Sequence, residues 1–292
     1  MRNMKKYLPA VALAVALMGC DSTPKYVELE SGLKFRKLVK GDTTKAQPTD
    51  VMNVVMTHVE GDSVLYDSGS DPGYFVNPSV GLPPNLQEAF LLCSKGDSVQ
   101  IEMPYTEYAT MTGRPVGAAD SSKVVTWNIK VREIENEQVV IDRLVGEQLE
   151  KDKVKINEYL VNNNLEATET EEGVSVVTLK KGNGKYPASG DKVGVNYVLR
   201  LLDGTIIDTS YEELAKENGL YNPNRDYAPY SFTLGNREVI QGWDVAIPNV
   251  DQGGKARLLI PSKLGYGSRN TGGPIPPNSV LVFDVEVVEL NK

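Results

Sequence analysis

Two stretches, Gly32-Leu33-Lys34-Phe35-Arg36-Lys37-Leu38-Val39-Lys40-Gly41 and Gly173-Val174-Ser175-Val176-Val177-Thr178-Leu179-Lys180-Lys181-Gly182, run in parallel. Each is an alternating segment that ends at glycine, which predicts a half-buried strand closed by a turn. The correspondence extends outward. Asp50 lies six residues before Met56, and Asp191 six before Tyr197. Tyr66-Asp67-Ser68 runs with Ile207-Asp208-Thr209, each aspartate eleven residues after the Met or Tyr. Gly96-Asp97-Ser98-Val99-Gln100-Ile101-Glu102-Met103-Pro104 matches Gly253-Gly254-Lys255-Ala256-Arg257-Leu258-Leu259-Ile260-Pro261, and Val125-Thr126-Trp127-Asn128-Ile129 matches Leu281-Val282-Phe283-Asp284-Val285. Self-similarity on this scale predicts two diverged copies of one β-rich domain.

Between the copies the period changes. Ile141, Leu144, Val145, Leu149, Ile156, Tyr159 and Leu160 recur at helical spacing, and Glu147 and Lys151 form an i,i+4 pair. Asn162-Asn163-Asn164 ends the pattern, and Thr168 to Glu172 reads as a polar bridge. Gly146 leaves open whether the connector is one helix or two. The expected layout is a leader over 1–19, a tether over 20–28, a first domain over 29–135, a helical connector over 136–172 and a second domain over 173–292.

The 292 residues carry a formal charge of −8, with 40% apolar and 24% charged residues, which suits folded domains rather than disorder. The acidic balance argues against nucleic acid, whose phosphates need a basic face. Two cysteines exclude a disulfide scaffold and a four-thiolate zinc site. A single histidine, His58, leaves little room for His-based metal sites or a Ser-His-Asp triad, and a surface position is expected for it.

Arg2, Lys5 and Lys6 precede an apolar run from Leu8 to Met18, the pattern of a secretory signal and too short for a membrane span. Leu17-Met18-Gly19-Cys20 resembles a bacterial lipobox. That resemblance implies a lipoprotein whose Cys20 is acylated on its thiol and becomes the new N-terminus, which would place the chain in the cell envelope as a lipid-anchored membrane protein. Which membrane, inner or outer, is left open. Cys93 lies in the apolar run from Ala89 and is expected to be buried.

From Gly173 to Leu290 the chain resembles the FKBP family of peptidyl-prolyl isomerases. Five motifs carry the resemblance: Val195-Asn196-Tyr197; Ile207-Asp208-Thr209-Ser210; Glu238-Val239-Ile240-Gln241-Gly242-Trp243; Leu264-Gly265-Tyr266-Gly267; and Ile275-Pro276-Pro277 followed by Leu281-Val282-Phe283-Asp284-Val285. Each alone is weak, and their order and spacing make the case. The resemblance implies an α+β fold of two FKBP-like domains, each a curved antiparallel sheet wrapped on a short helix, and a rotamase activity in the second. No cofactor and no metal are implied. Trp243 would floor the pocket; Tyr197, Phe232 and Phe283 would wall it, Tyr230 would stand at the rim, and Val239 and Ile240 would line one side. The Ile240 N–H would hold a substrate carbonyl, and Ile275 would close the mouth. Asp208 and Tyr266 would be the catalytic pair, Tyr266 donating to the carbonyl before the proline.

The chemistry needs nothing more. Rotation about an X-Pro amide breaks C–N resonance, a barrier of ~18–20 kcal/mol. The twisted amide has a less polar carbonyl than the planar one, so a dry aromatic pocket favours it, and only that differential binding accelerates the reaction. Two departures stand out. Ile207 stands where the family usually has phenylalanine, and the stretch from Asp208 to Tyr230 is long and rich in tyrosine (Tyr211, Tyr221, Tyr227). The loop reads either as surface decoration or as a lip that selects substrates.

In the first copy Met56 stands at the place of Tyr197, Leu86 at that of Trp243, and Pro83, which has no N–H, at or near that of Ile240. Tyr108 lies one position from that of Tyr266, while Asp67, Phe75 and Trp127 read as a surviving frame. This copy is expected to be a degenerate domain that serves as a scaffold, a dimerisation surface or a chaperone-like binder. The expected partners are X-Pro segments of folding proteins, the membrane through the anchor, and macrolide inhibitors, with no nucleic acid. The rival reading is a non-catalytic module that binds proline segments in an envelope complex, favoured by Ile207.

Overall fold

The computed structural model describes residues 24–69 and 74–291. The leader expected over 1–19, and Cys20, lie outside the described residues. The chain divides into two compact units, 1–140 and 141–292. Each carries a seven-stranded sheet with every pairing antiparallel.

In the first unit the strands are β1 (Val27–Glu28), β2 (Lys34–Val39), β3 (Asp50–Glu60), β4 (Ser63–Asp67), β5 (Tyr74–Val76), β6 (Ser98–Pro104) and β7 (Val124–Asn136). They are ordered β1-β2-β6-β7-β3-β4, with β5 on β3. Two helices, α1 (Pro84–Leu91) and α2 (Tyr105–Thr112), complete it. After α3 (Glu137–Asn162), the second unit repeats the plan with β8 (Thr168–Glu169), β9 (Ser175–Lys180), β10 (Lys192–Arg200), β11 (Ile206–Thr209), β12 (Tyr230–Thr233), β13 (Lys255–Ile260) and β14 (Leu281–Asn291). Its order, β8-β9-β13-β14-β10-β11 with β12 on β10, is that of the first. The helices here are α4 (Glu212–Glu217) and α5 (Gln241–Ala246). Thr168 and Glu169, read above as a polar bridge, pair with β9.

The two copies share even their irregularities. Arg132 bulges from β7 between the partners of Asn53 and Val54, and Val288 bulges from β14 between those of Gly194 and Val195. Gly41 and Gly182 each press on the turn before the sixth strand of their copy, where a Cβ would fall 1.9 Å from the Lys95 carbonyl and 2.2 Å from that of Gln252. Both turns are tied by a carboxylate, but from different positions. Asp251 accepts the N–H of Gly182 and Gly184. In the first copy Ser94 occupies the corresponding place, and Asp97, three residues on, accepts from Gly41 and Ser94 and pairs with Lys37.

α3 runs through Gly146 as one helix. Ile156 is buried against Val177, Leu259, Val280 and Val282 on the outer face of the second sheet, with Tyr159 and Leu160 beside it. Each fully buried side chain of this size contributes about 1.5–3 kcal/mol. In the first sheet Arg36, Glu102 and Thr126 stand at the places of Val177, Leu259 and Val282, and Arg36 donates to Gln100, Gln100 to Asn128 and Asn128 to Thr57.

Candidate active site

The second core gathers behind α5. Gly242 lets this helix lie on β13, since a Cβ there would fall 2.4 Å from Ile260 Cγ2. That close approach seats Trp243, 4% exposed, at the centre of an aromatic cluster. Its ring lies 5.4 Å from Tyr197, 5.2 Å from Phe283, 5.7 Å from Phe232 and 6.4 Å from Tyr230, and the Tyr197, Phe283 and Tyr230 contacts are edge-on. Over it opens a cleft of about 270 Å³ lined by Tyr197, Leu199, Asp208, Tyr230, Glu238, Val239, Ile240, Trp243, Tyr266 and Phe283. Among the other anticipated residues, Phe232 and Ile275 are buried in the core cluster, and Ile207 is half-buried against it.

Polar atoms converge on one side. Asp208 Oδ2 accepts from the Tyr197 hydroxyl at 2.5 Å, and Oδ1 accepts from its neighbour's N–H, Thr209, at 2.8 Å. Burial, and then the Asp208 carboxylate, push the Tyr197 phenol up to about 12. Burial and the charge of Asp208 also raise Tyr266. Both phenols therefore stay protonated as donors at neutral pH. Tyr266 follows a short 3-10 turn, Ser262–Leu264, and is 38% exposed. Ile240 is extended (φ −60°, ψ 146°) just before α5.

Two cleft residues and one loop arginine escape the sequence reading. Leu199 and Glu238 line the cleft. Arg225, from the long loop after Asp208, donates to Asp208 Oδ1 at 2.5 Å and to the Tyr197 hydroxyl at 2.9 Å. The loop is ordered around it: Tyr221 stacks on Tyr227 at 5.7 Å, the Asn222 N–H donates to the Tyr227 hydroxyl, and Arg225 lies over the Tyr227 ring. A basic residue in the tyrosine-rich loop that follows Asp208 is the signal the sequence offers.

The first copy is different. Pro83 and Leu86 do hold the places of Ile240 and Trp243, since Pro83 caps α1 as Ile240 caps α5. The strand register corrects two other correspondences. Ser68 Oγ accepts the Met56 N–H as Ser210 Oγ accepts that of Tyr197, so Tyr66, not Asp67, stands at the place of Asp208. Likewise Val54 pairs with Tyr74 as Val195 pairs with Tyr230, which puts Val76, not Phe75, at the place of Phe232. His58 is not on the surface. It is 6% exposed, stacked on Trp127 at 3.7 Å, flanked by Tyr66, and 3.3 Å from the Tyr108 hydroxyl. Aromatic contact on β3 replaces the solvent the sequence suggested, and burial lowers its pKa to about 4. Trp127 pairs with His58 as Phe283 pairs with Leu199. His58, Tyr108 and Trp127 thus pack together where the second copy is open.

Comparison with known proteins agrees with this geometry. Residues 184–288 match the family model described as FKBP-type peptidyl-prolyl cis-trans isomerase. Peptidyl-prolyl cis-trans isomerase Fkbp12 of Drosophila melanogaster is 40% identical over 119 residues, covering 40% of this chain and 98% of that protein. FK506-binding protein 4 of Neurospora crassa is 40% identical over 119 residues, 41% of this chain and 22% of that protein. The chain therefore spans about a fifth of the Neurospora relative and nearly all of the Drosophila one. A crystal structure of a peptidyl-prolyl cis-trans isomerase from Pseudomonas syringae pv. tomato str. DC3000 covers 50% of this chain and 96% of its own at 28% identity, with a TM-score of 0.39. The chain belongs, through its second domain, to the FKBP-type peptidyl-prolyl cis-trans isomerases.

Proposed function

We propose that the second domain isomerises X-Pro bonds in polypeptides. The observation that carries this is the Trp243 floor, ringed by Tyr197, Phe283 and Tyr230, with Tyr266 and Asp208 on one lip of the same cleft. The proline ring sits on Trp243, water is excluded from its amide, and the planar ground state loses the solvation that favours it. Tyr266 donates to the carbonyl before the proline, and the Ile240 N–H takes a neighbouring carbonyl. Asp208, fixed by Tyr197 and Arg225, offers a carboxylate beside the turning amide. No bond is made or broken, so the whole effect is differential binding, worth tenfold per ~1.4 kcal/mol.

The finer reading is a lipid-anchored folding helper for exported proteins in the cell envelope, with macrolides of the FK506 type as competing ligands. It rests on the lipobox-like Leu17-Met18-Gly19-Cys20 and on a first domain whose cleft is filled. In this reading the first domain holds a client while the second isomerises it. Deleting residues 29–135 would then depress turnover of a refolding protein far more than that of a peptide, and equal effects would sink the idea.

The deciding assay times cis-to-trans conversion of a Leu-Pro tetrapeptide by the chain, beside its Tyr266→Phe and Asp208→Val variants. Acceleration that falls in both variants supports the enzyme. Binding without acceleration makes the domain a proline-segment receptor, and Ile207→Phe would then show whether the aliphatic wall is the cause.

A further inference from the structure

The family match begins at residue 184, yet one contact that fixes the Tyr266 loop comes from α3, ahead of the match. Asp152 lies on α3 and is fully buried. Its Oδ2 accepts the Ser262 N–H at 2.8 Å, and its Oδ1 accepts from Gln148 Nε2 at 2.7 Å. The Ser262 carbonyl in turn accepts the N–H of Gly265 at 3.0 Å and of Gly267 at 2.8 Å. The residues on either side of Tyr266 thus hang on Ser262, and Ser262 hangs on Asp152.

The first domain shows what this replaces. Tyr105 follows Pro104 as Ser262 follows Pro261, and its N–H goes to the Lys123 carbonyl at 2.9 Å. There the corner is closed by the domain's own chain. In the second domain the acceptor is imported from the helix that precedes it. A buried N–H must find an acceptor, and a carboxylate is a stronger one than a carbonyl.

We infer that Asp152 is a positioning residue for the isomerase reaction, setting the place of the Tyr266 hydroxyl through Ser262. This rests on the role proposed above for Tyr266. A donor that must meet a turning carbonyl is sensitive to displacements far smaller than a side chain.

The test uses the full chain, with peptide turnover and amide hydrogen exchange over residues 262–268 as paired readouts. Asp152→Ala should lower kcat/KM roughly tenfold, mostly in kcat, since it strands a buried N–H beside the donor loop. Exchange should quicken at Gly265 and Gly267 while β10 and β14 stay protected. Placed on Tyr266→Phe, the same substitution should add less than about twofold, because the two act through one hydroxyl. Asp152→Asn keeps an acceptor oxygen and should restore turnover to within about threefold of the parent. Should the alanine variant fail to fold, Gln148→Ala, which frees one carboxylate oxygen, gives a smaller shift in the same direction. An active chain whose Asp152→Ala variant keeps parental turnover or parental exchange over 262–268, or whose losses simply multiply on Tyr266→Phe, overturns the role of Asp152 alone. A chain without isomerase activity overturns the reading of the second domain, and the assignment with it.

Discussion

Tyr66 and Asp208 occupy the same sheet position in the two domains: Tyr66 is paired with His58 as Asp208 is paired with Leu199. The first domain therefore lacks the carboxylate, and its neighbours His58, Tyr108 and Trp127 pack against one another. Activity should reside in one domain. Trp243→Leu, which copies Leu86, should reduce peptide turnover by the full chain at least about tenfold, the loss of one good transition-state contact. A peptide-isomerase assay that finds most activity intact would place the chemistry in the first domain.

His58 makes the first domain sensitive to acid. Its folded pKa, lowered to about 4 by burial, lies below the unfolded value of 6.5. Between these values the unfolded chain binds more protons, so stability is full above about pH 6.5 and declines as pH falls toward 4. Denaturant melts of the first-domain transition across that window should show the decline, and His58→Phe should flatten it.

Arg225 ties the long loop to the cleft through Asp208 and Tyr197. Arg225→Ala should lower peptide turnover roughly three- to tenfold by letting the carboxylate swing, and Arg225→Lys should recover only part, because one ammonium cannot span both oxygens. Steady-state kinetics with short and long peptides would separate this from a loss of loop contacts, which would affect only the long ones.

The two turn carboxylates, Asp97 and Asp251, reach the same backbone from positions three residues apart. Asp97 is fully buried and pairs with Lys37, so Asp97→Ala should cost about 3 kcal/mol by leaving that cation and two N–H groups unanswered. The double change Ser94→Asp with Asp97→Gly rebuilds the second domain's arrangement and should return much of that loss. Urea melts of the single and double variants decide it.

Much of this was legible in the residues. The glycine-bounded repeats Gly32–Gly41 and Gly173–Gly182 predicted a duplicated sheet, and the five motifs pointed to the residues that gather around Trp243. Register in the first copy was not legible. Counting from Met56 to Asp67 and from Tyr197 to Asp208 gives the same eleven, but the paired residues His58 and Tyr66 are one residue closer in sequence than Leu199 and Asp208. In a strand, a slip of one exchanges the two faces, so the count lands on Asp67 while the register puts Tyr66 at the place of Asp208. His58 was misplaced for a related reason: one polar residue on a strand does not reveal the aromatic neighbours that bury it. Arg225 and Asp152 act across long stretches of chain, although an acid between Leu149 and Ile156 on a helical stripe was a visible anomaly.

The apolar contact of Ile156 with Val177, Leu259 and Val282 bears on modularity. The matched family unit is, by its relatives, a portable part, yet here its back carries Val177, Leu259 and Val282 where the first domain has Arg36, Glu102 and Thr126. Cut free at residue 173, it would uncover Val177, Leu259 and Val282 and lose the acceptor for Ser262, so grafting it elsewhere means carrying α3 along. Duplication supplied two similar sheets, but they are not interchangeable: one kept a self-sufficient exterior, and the other became dependent on the helix that leads into it.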